Sequence, residues 1–440
     1  MSNAPAERAW AAISEVLTAP RVSHVVAVAS IGVGFLADAL QRLIGWPGLL
    51  AIVITLVVIA ALTLVARGGL RPWLGLLPVS LVIFLGWAGV SVFWSSYRWA
   101  TLAGLGYLVA FTALGIYVAL MRDTIQIVRA FGDVLRFVLG VSLAVEIFSG
   151  VLIDAPIRFL GVEGRLAELG PIQGLMSTRN QLGLVAVLAI VTFAMEFLTR
   201  SVERQLAIGS MVLAGVSILL SRSPIIAGVA VALGAAVLAL HLIRRAKPER
   251  RVIWQWGTLG VAVLLALIAW LVRTPIIAAL SANAELTYRI SLWRALWNLG
   301  SLSPLEGWGW IGQWRPDLAP FTFFAAASNR EPTSAVNAYV DVWFQLGLAG
   351  LFIFAVLVGL AFVRSWLLAG RRRSIVFMWP ALMLVVLIVS ALAESSLLVE
   401  YGWLTFVVCC VKAARELSWR RALSNGADDE SVGPQGRLQQ

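Results

Sequence analysis

Arginines and carboxylates are the residues of this sequence whose types and spacing could do chemistry. Arg179 lies in Ser177-Thr178-Arg179-Asn180, just ahead of an apolar run, and Arg222 lies in Ser221-Arg222-Ser223-Pro224, between two apolar runs with almost no loop. A guanidinium at the lip of the hydrocarbon is costly unless its head reaches water or an anion. Snorkelling to water accounts for either one alone. Several facing one compartment suit a diphosphate, because guanidinium is always charged and grips phosphate oxygens with two parallel donors. Asp341 sits about one turn into the run that begins at Ala338. A carboxylate within a membrane span is a functional candidate by default; the plain alternative is a packing partner for Gln345, four residues on. Glu394 and Glu400 flank the turn ESSLLVEYGW and read either as an acceptor-binding pair or as boundary carboxylates.

The segment Glu285–Asn298 has helical period. Leu286, Ile290, Trp293 and Trp297 form an apolar stripe, while Arg289, Ser291, Arg294 and Asn298 fall elsewhere around the helix. Pairing of Glu285 with Arg289 on an amphipathic surface helix is the plain reading. Downstream, SPLEGWGWIG carries Gly307, Gly309 and Gly312, which permit tight turns and close backbone approach. The spacing is like that of a dinucleotide loop, but no strand and helix surround it, so that reading is rejected. His24 and His241 fall near the expected cytoplasmic side and read as packing residues. Cys409 and Cys410 are adjacent in an apolar run, with neither disulfide nor metal spacing, and read as small packing or lipid-facing residues.

The elements that must position these groups are membrane helices. Of 440 residues, 60% are hydrophobic and 13% charged, and the mean hydropathy is +0.89. Soluble domains are about 45–50% apolar and about 25% charged, so a string of soluble domains is excluded. Twelve segments are long enough to cross the bilayer: Val22–Leu40, Gly48–Ala66, Leu74–Trp94, Ala100–Met121, Phe131–Ile153, Gln181–Leu198, Gln205–Leu220, Pro224–Ile243, Trp254–Val272, Ala338–Val363, Ile375–Leu392 and Leu397–Val411, the last being the weakest. Their runs are continuous, unlike the alternating strands of a barrel. The expected fold is therefore an all-α polytopic membrane protein of about twelve transmembrane helices. Both termini are expected in the cytoplasm, because that orientation places 22 of the 34 Lys and Arg residues on the inner side. The net charge of +11 sits in short clusters between apolar runs, which is a topology signal rather than a nucleic-acid-binding stripe. No cleavable signal peptide is apparent. The expected organisation is a cytoplasmic segment over 1–21, nine helices within 22–272, a Trp-rich extracytoplasmic loop domain over 273–337, three helices within 338–411, and a cytoplasmic tail over 412–440.

Four stretches together resemble the O-antigen ligase/polymerase superfamily: STRNQLG from Ser177, LLSRSP from Leu219, YRISLWRALWNLGSLSPLEGWGWIG from Tyr288, and VNAYVDVWFQLGLAG from Val336. They cover roughly the second half of the chain; the first half matches in hydropathy alone. The resemblance implies a GT-C-like, metal-independent glycosyltransferase of the inner or plasma membrane, with a partly helical extracytoplasmic cap and no cofactor. Its donor would be an undecaprenyl-diphosphate-linked glycan and its acceptor a glycan or lipid, handled at the extracytoplasmic face among membrane lipids. By motif, Arg179 and Arg289, with Arg222 and Arg294, would bind the carrier diphosphate. The family's fourth stretch usually reads His-Asn-x-Tyr; here Val336 stands at the histidine's place, followed by Asn337 and Tyr339. Arginines that stabilise the departing diphosphate supply the larger catalytic term, and a base adds about 10²–10⁴-fold. Asp341 is the first candidate for that base, acting with Asn337 and Tyr339; Glu331 and Glu394 are further candidates for it, and Glu331, Glu394 and Glu400 are assigned to the acceptor side.

A polytopic transporter or flippase of lipid-linked saccharides is the alternative. Transporters place their sites near the midplane, often between paired repeats. This sequence has few ionisable residues at mid-span, Arg136 and Asp341 excepted, and no clear repeat.

Overall fold

A backbone in hydrocarbon must satisfy its own N–H and C=O groups, and a helix does so within one segment. The chain follows that rule in a computed structural model, which describes residues 14–67, 78–168, 170–247, 253, 255, 257, 260, 283–328 and 331–416. The main helices are α1 (Pro20–Ala66), α2 (Val79–Val90), α3 (Arg98–Met121), α4 (Thr124–Ile147), α5 (Arg179–Thr199), α6 (Arg204–Ser221), α7 (Pro224–Arg245), α8 (Asn283–Gly300), α9 (Phe321–Ser328), α10 (Ala338–Arg371), α11 (Met378–Ser390) and α12 (Glu400–Glu416). Among the described residues the one extended pairing is an isolated bridge between Ile157 and Val162.

Seven helices are long and apolar enough to cross a membrane: α1, α3, α4 with its continuation to Ile153, α5, α6, α7 and α10. The expected twelve are therefore not reached among the described residues. The first two expected segments are joined in α1, which breaks at Gly45. The third expected segment starts at Leu74, outside the described residues, and its described part is the shorter apolar stretch Val79–Phe93; Ile375–Ser390 is likewise short. Nearly all of the ninth, Trp254–Val272, lies outside the described residues. The weak last segment has a packing explanation. α12 lies against α1, α3, α10 and α11 and is buried from Tyr401 to Ala413, so it needs no lipid-facing hydrophobic surface. Cys409 and Cys410 are buried there as packing residues. Trp403 donates to Thr112 Oγ1 at 2.8 Å, and Trp379 of α11 donates to Thr192 Oγ1 at 3.1 Å, so these two buried indoles are satisfied across helices. Arg136 of α4 is likewise engaged within the protein: it pairs with Glu196 and Asp133 and donates to Ser210 Oγ at 2.8 Å.

A second, smaller core caps one end. It gathers Tyr97 and Ala100 of the α3 start, Leu292 and Leu296 of α8, Ile311, Trp314, Phe321, Phe324, Ala335 and Phe344. This cap is anchored in a break of α10 at Gly347, whose φ is 69°. A helix interrupted in an apolar setting exposes backbone groups that must find partners. Here residues 304–309 supply them: Trp308 N–H donates to Phe344 O at 3.1 Å, Gly309 N–H to Gln345 O at 2.8 Å, and Leu348 N–H to Pro304 O at 2.8 Å. The approach is so close that a Cβ on Gly347 would meet Leu305 O at 2.0 Å, and one on Gly307 would meet Gly347 N at 2.4 Å. The Gly307-x-Gly309 spacing therefore serves insertion of a loop into a broken helix.

Candidate functional site

The site is best built outward from Arg289. Its helical position turns it inward: the side chain is 7% exposed and lies 3.3 Å from both Glu285 Oε1 and Glu394 Oε1. Its Nη1 donates to Val336 O at 2.9 Å and also to Ala393 O. One guanidinium thus ties α8, the 331–337 approach to α10, and the turn between α11 and α12. Val336 has φ 53°, a left-handed conformation that a β-branched residue rarely adopts, and its carbonyl is one of the two that Arg289 holds.

Glu394 extends the junction. Its Oε1 also accepts from Asn180 Nδ2 at 2.7 Å, and Asn180 Oδ1 accepts from Ser223 Oγ at 2.7 Å. Both belong to helix starts. Thr178 caps α5, its hydroxyl accepting from Gln181 N–H at 3.2 Å; Ser223 caps α7 ahead of Pro224, accepting from Ile226 N–H at 3.3 Å. All four sequence stretches therefore close on one locus. Burial raises the Glu394 carboxyl above the usual carboxylate range, opposed by the Arg289 charge and by hydrogen bonds from Asn180 and Arg289. Upstream of Ser177, Glu146 Oε1 accepts the N–H groups of Gln173 and Gly174 at 3.0 and 2.8 Å and holds the approach to α5.

Arg179 and Arg222 adjoin the hydrogen-bonded Asn180 and Ser223, and both are exposed. Arg222 takes the left-handed position that ends α6, with φ 45°. Arg294 is also exposed but lies about 140° around α8 from Arg289. There it borders a hollow of about 370 Å³ with Ile290, Trp293, Trp297 and Asn298. The structure does not bring it to the Arg289 and Glu394 junction.

Asp341 is 1% exposed. Its Oδ1 accepts from Trp314 Nε1 at 2.7 Å and from Gln345 Nε2 at 2.8 Å, and its Oδ2 accepts from Ala335 N–H at 3.2 Å. Gln345 Oε1 in turn accepts the N–H groups of Ile311 and Gly312 at 2.7 and 3.0 Å. The pairing with Gln345 expected from the four-residue spacing is present, within a network that fixes the cap loop. Asn337 caps α10, accepting from Tyr339 and Val340 N–H groups at 2.9 and 3.1 Å and donating to Leu392 O at 2.9 Å. Tyr339 packs on Phe354 with ring centroids 5.9 Å apart. Glu331 is exposed, and Glu400 is half-buried, with its Oε1 accepting from Tyr107 OH at 3.1 Å. Among the described residues no group of three His, Cys, Asp or Glu side chains is placed to hold a metal ion.

Arg42 was not singled out from sequence. It donates to Leu160 O and, at 3.1 Å, to Ser177 Oγ, so α1 contributes a cation beside the same stretch. Its position three residues before the Gly45 break of α1 was the available signal.

The apolar helices and the polar junction at one end define a polytopic helical membrane protein with a built charged site. Residues 209–355, a part of the chain, match the family described as O-antigen ligase, in keeping with the resemblance carried by the four sequence stretches. The matched span contains Arg222, Arg289, Arg294, Asn337, Tyr339 and Asp341; Arg179 and Glu394 lie outside it. No curated protein matches the sequence.

Proposed function

We propose that this protein is a polysaccharide-assembly glycosyltransferase that moves a glycan from an undecaprenyl-diphosphate carrier to a saccharide or lipid acceptor at the extracytoplasmic membrane face. The observation that carries this is the hydrogen-bonded chain from Ser223 through Asn180 and Glu394 to Arg289, which gathers the family's four stretches at one locus. Arg179 and Arg222, exposed beside that chain, meet the carrier diphosphate. Arg289, already engaged by backbone carbonyls and two carboxylates, sets the floor of the site and adds its field.

In the transfer, an acceptor hydroxyl oxygen forms a bond to the donor's anomeric carbon. The bond from that carbon to the phosphate oxygen breaks, and its electron pair leaves with the carrier diphosphate, where preorganised guanidinium groups stabilise the added charge. The hydroxyl proton passes to a carboxylate. Glu394 is the carboxylate best suited to receive it, since it sits within the junction and burial raises its proton affinity. Asp341 acts in this reading as a positioning residue, because both its oxygens are engaged by the cap loop and by Gln345. Arg136 and Asp341, the mid-span ionisable groups a transporter would use, are both satisfied within the protein, which favours transfer over transport.

The test is a purified, reconstituted protein given a polyprenyl-diphosphate-linked oligosaccharide and an acceptor, with new glycosidic bonds read by mass spectrometry. Arg179→Ala and Arg222→Ala are each expected to lower turnover by about 10²-fold while leaving the unfolding temperature in place. Wild-type turnover from both variants overturns the reading, as does carrier movement across a bilayer with no bond formed.

A further inference from the structure

A hollow of about 650 Å³ opens at the start of α3, lined by Ser95, Ser96, Tyr97, Arg98, Trp99 and Arg315. Its floor is fixed. Tyr97 belongs to the cap core beside Trp314 and Phe321, its hydroxyl donates to Gly309 O at 3.3 Å, and Ser95 Oγ bonds Thr101 Oγ1 at 2.7 Å. The mouth is different in character. Arg98 is exposed and forms no ion pair with a described residue. Arg315 binds Asp317 through Nε and Nη2, at 3.3 and 2.8 Å, which leaves Nη1 outside that pair. Two guanidinium groups against one carboxylate leave a net positive mouth.

The same mouth sits at a membrane boundary. Arg98 is the first residue of a spanning helix, Trp99 is 86% exposed and nearby Phe93 is 77% exposed. Exposed aromatic rings at the end of a span mark the headgroup level, and guanidinium groups at that level can grip lipid phosphate oxygens with paired donors. We propose that this hollow binds the phosphate headgroup of an anionic membrane phospholipid. Arg98 and the free edge of Arg315 hold the phosphate oxygens, the Ser96 hydroxyl donates to one of them, and Trp99 lies along the glycerol region. Because Arg98 belongs to a membrane helix and Arg315 to the cap, the bound lipid clamps one to the other. The inference is independent of the glycosyl-transfer reading, since it concerns neither the Arg289 junction nor the donor.

The test is native mass spectrometry of the full chain released from bilayers of phosphatidylcholine with phosphatidylglycerol. Wild type is expected to retain phosphatidylglycerol preferentially. A surface arginine contributes roughly 1 kcal/mol to holding an anionic lipid, so Arg98→Gln and Arg315→Gln should each weaken retention about fivefold. Asp317→Asn, which frees Arg315, should strengthen it, and this gain keeps the test decisive even if an arginine variant folds poorly. Unchanged retention in the arginine variants, or no gain in Asp317→Asn, overturns the proposal. So does displacement of phosphatidylglycerol by glucuronate or by a polyprenyl diphosphate at lower concentration than by glycerol phosphate, since the hollow would then be a sugar or donor site.

Discussion

Removing Arg289 separates the fold-holding contacts it makes from the part in transfer proposed for it. Arg289→Ala strips donors from Val336 O and Ala393 O and leaves Glu394 with Asn180 as its remaining side-chain donor. Arg289 and Glu394 side chains are 7% and 13% exposed, so solvent screens them little. Truncating one partner of such a buried pair costs about 3–5 kcal/mol, while each abandoned carbonyl costs at most about 1–3 kcal/mol. Adding Glu394→Gln removes the stranded charge, and the double variant should regain part of the loss, with a coupling energy of about 0.5–3 kcal/mol. Under the proposed function turnover should not recover, because the field proposed for the diphosphate and the proposed proton acceptor are both removed; a fall of at least about 10²-fold is expected. Thermal unfolding in detergent reads the first effect, and product formation at saturating donor reads the second. A double variant that folds and turns over like wild type would refute the reasoning and reduce the junction to a clasp.

Three further outcomes follow from the same geometry. Asp341→Asn puts an amide where Trp314, Gln345 and Ala335 all donate, so one donor faces another; unfolding free energy should fall by about 1–3 kcal/mol, with a shift in tryptophan emission as the cap loop loosens. Gly347→Ala places a Cβ 2.0 Å from Leu305 O at φ 69°, and should abolish the monodisperse folded peak in size-exclusion chromatography. For pH, the raised carboxyl of Glu394 means its neutral form is favoured in the fold. Stability from this group is present below its unfolded value of about 4.3 and is lost as pH climbs through the higher folded value, over which window the ionised, proton-accepting form appears. Turnover should therefore rise with pH through a limb above the usual carboxylate range, and Glu394→Gln should remove that limb from the pH–rate profile.

Hydropathy was enough to mark most of the described helices, because each apolar run must satisfy its own backbone. Its signal was weakest where burial replaces lipid contact, as in α12, and it gave the two runs of α1 without showing that they are joined across the Gly45 break. The motif arginines were legible as residue types at membrane edges, and the Asp341 with Gln345 contact followed from four-residue spacing. What spacing cannot carry is contact between distant stretches. Asn180 and Glu394 are 214 residues apart, and Trp314 reaches Asp341 across an intervening loop. The glycines of SPLEGWGWIG announced close approach without naming the backbone they approach, since Gly347 lies in a different apolar run. Likewise, Glu285 was a visible partner for Arg289, but the larger engagement with Val336, Ala393 and Glu394 depends on tertiary structure.

The loop seated in the α10 break also constrains biogenesis. Residues 304–309 leave the ribosome before 344–349, yet each segment supplies hydrogen-bond partners to the other. Until the later helix is inserted, the earlier segment has to stay hydrated or shielded, and the interrupted helix cannot rest in lipid without it. Co-translational insertion must therefore keep these two segments within reach of one another, which makes their pairing a late, order-dependent step in the protein's maturation.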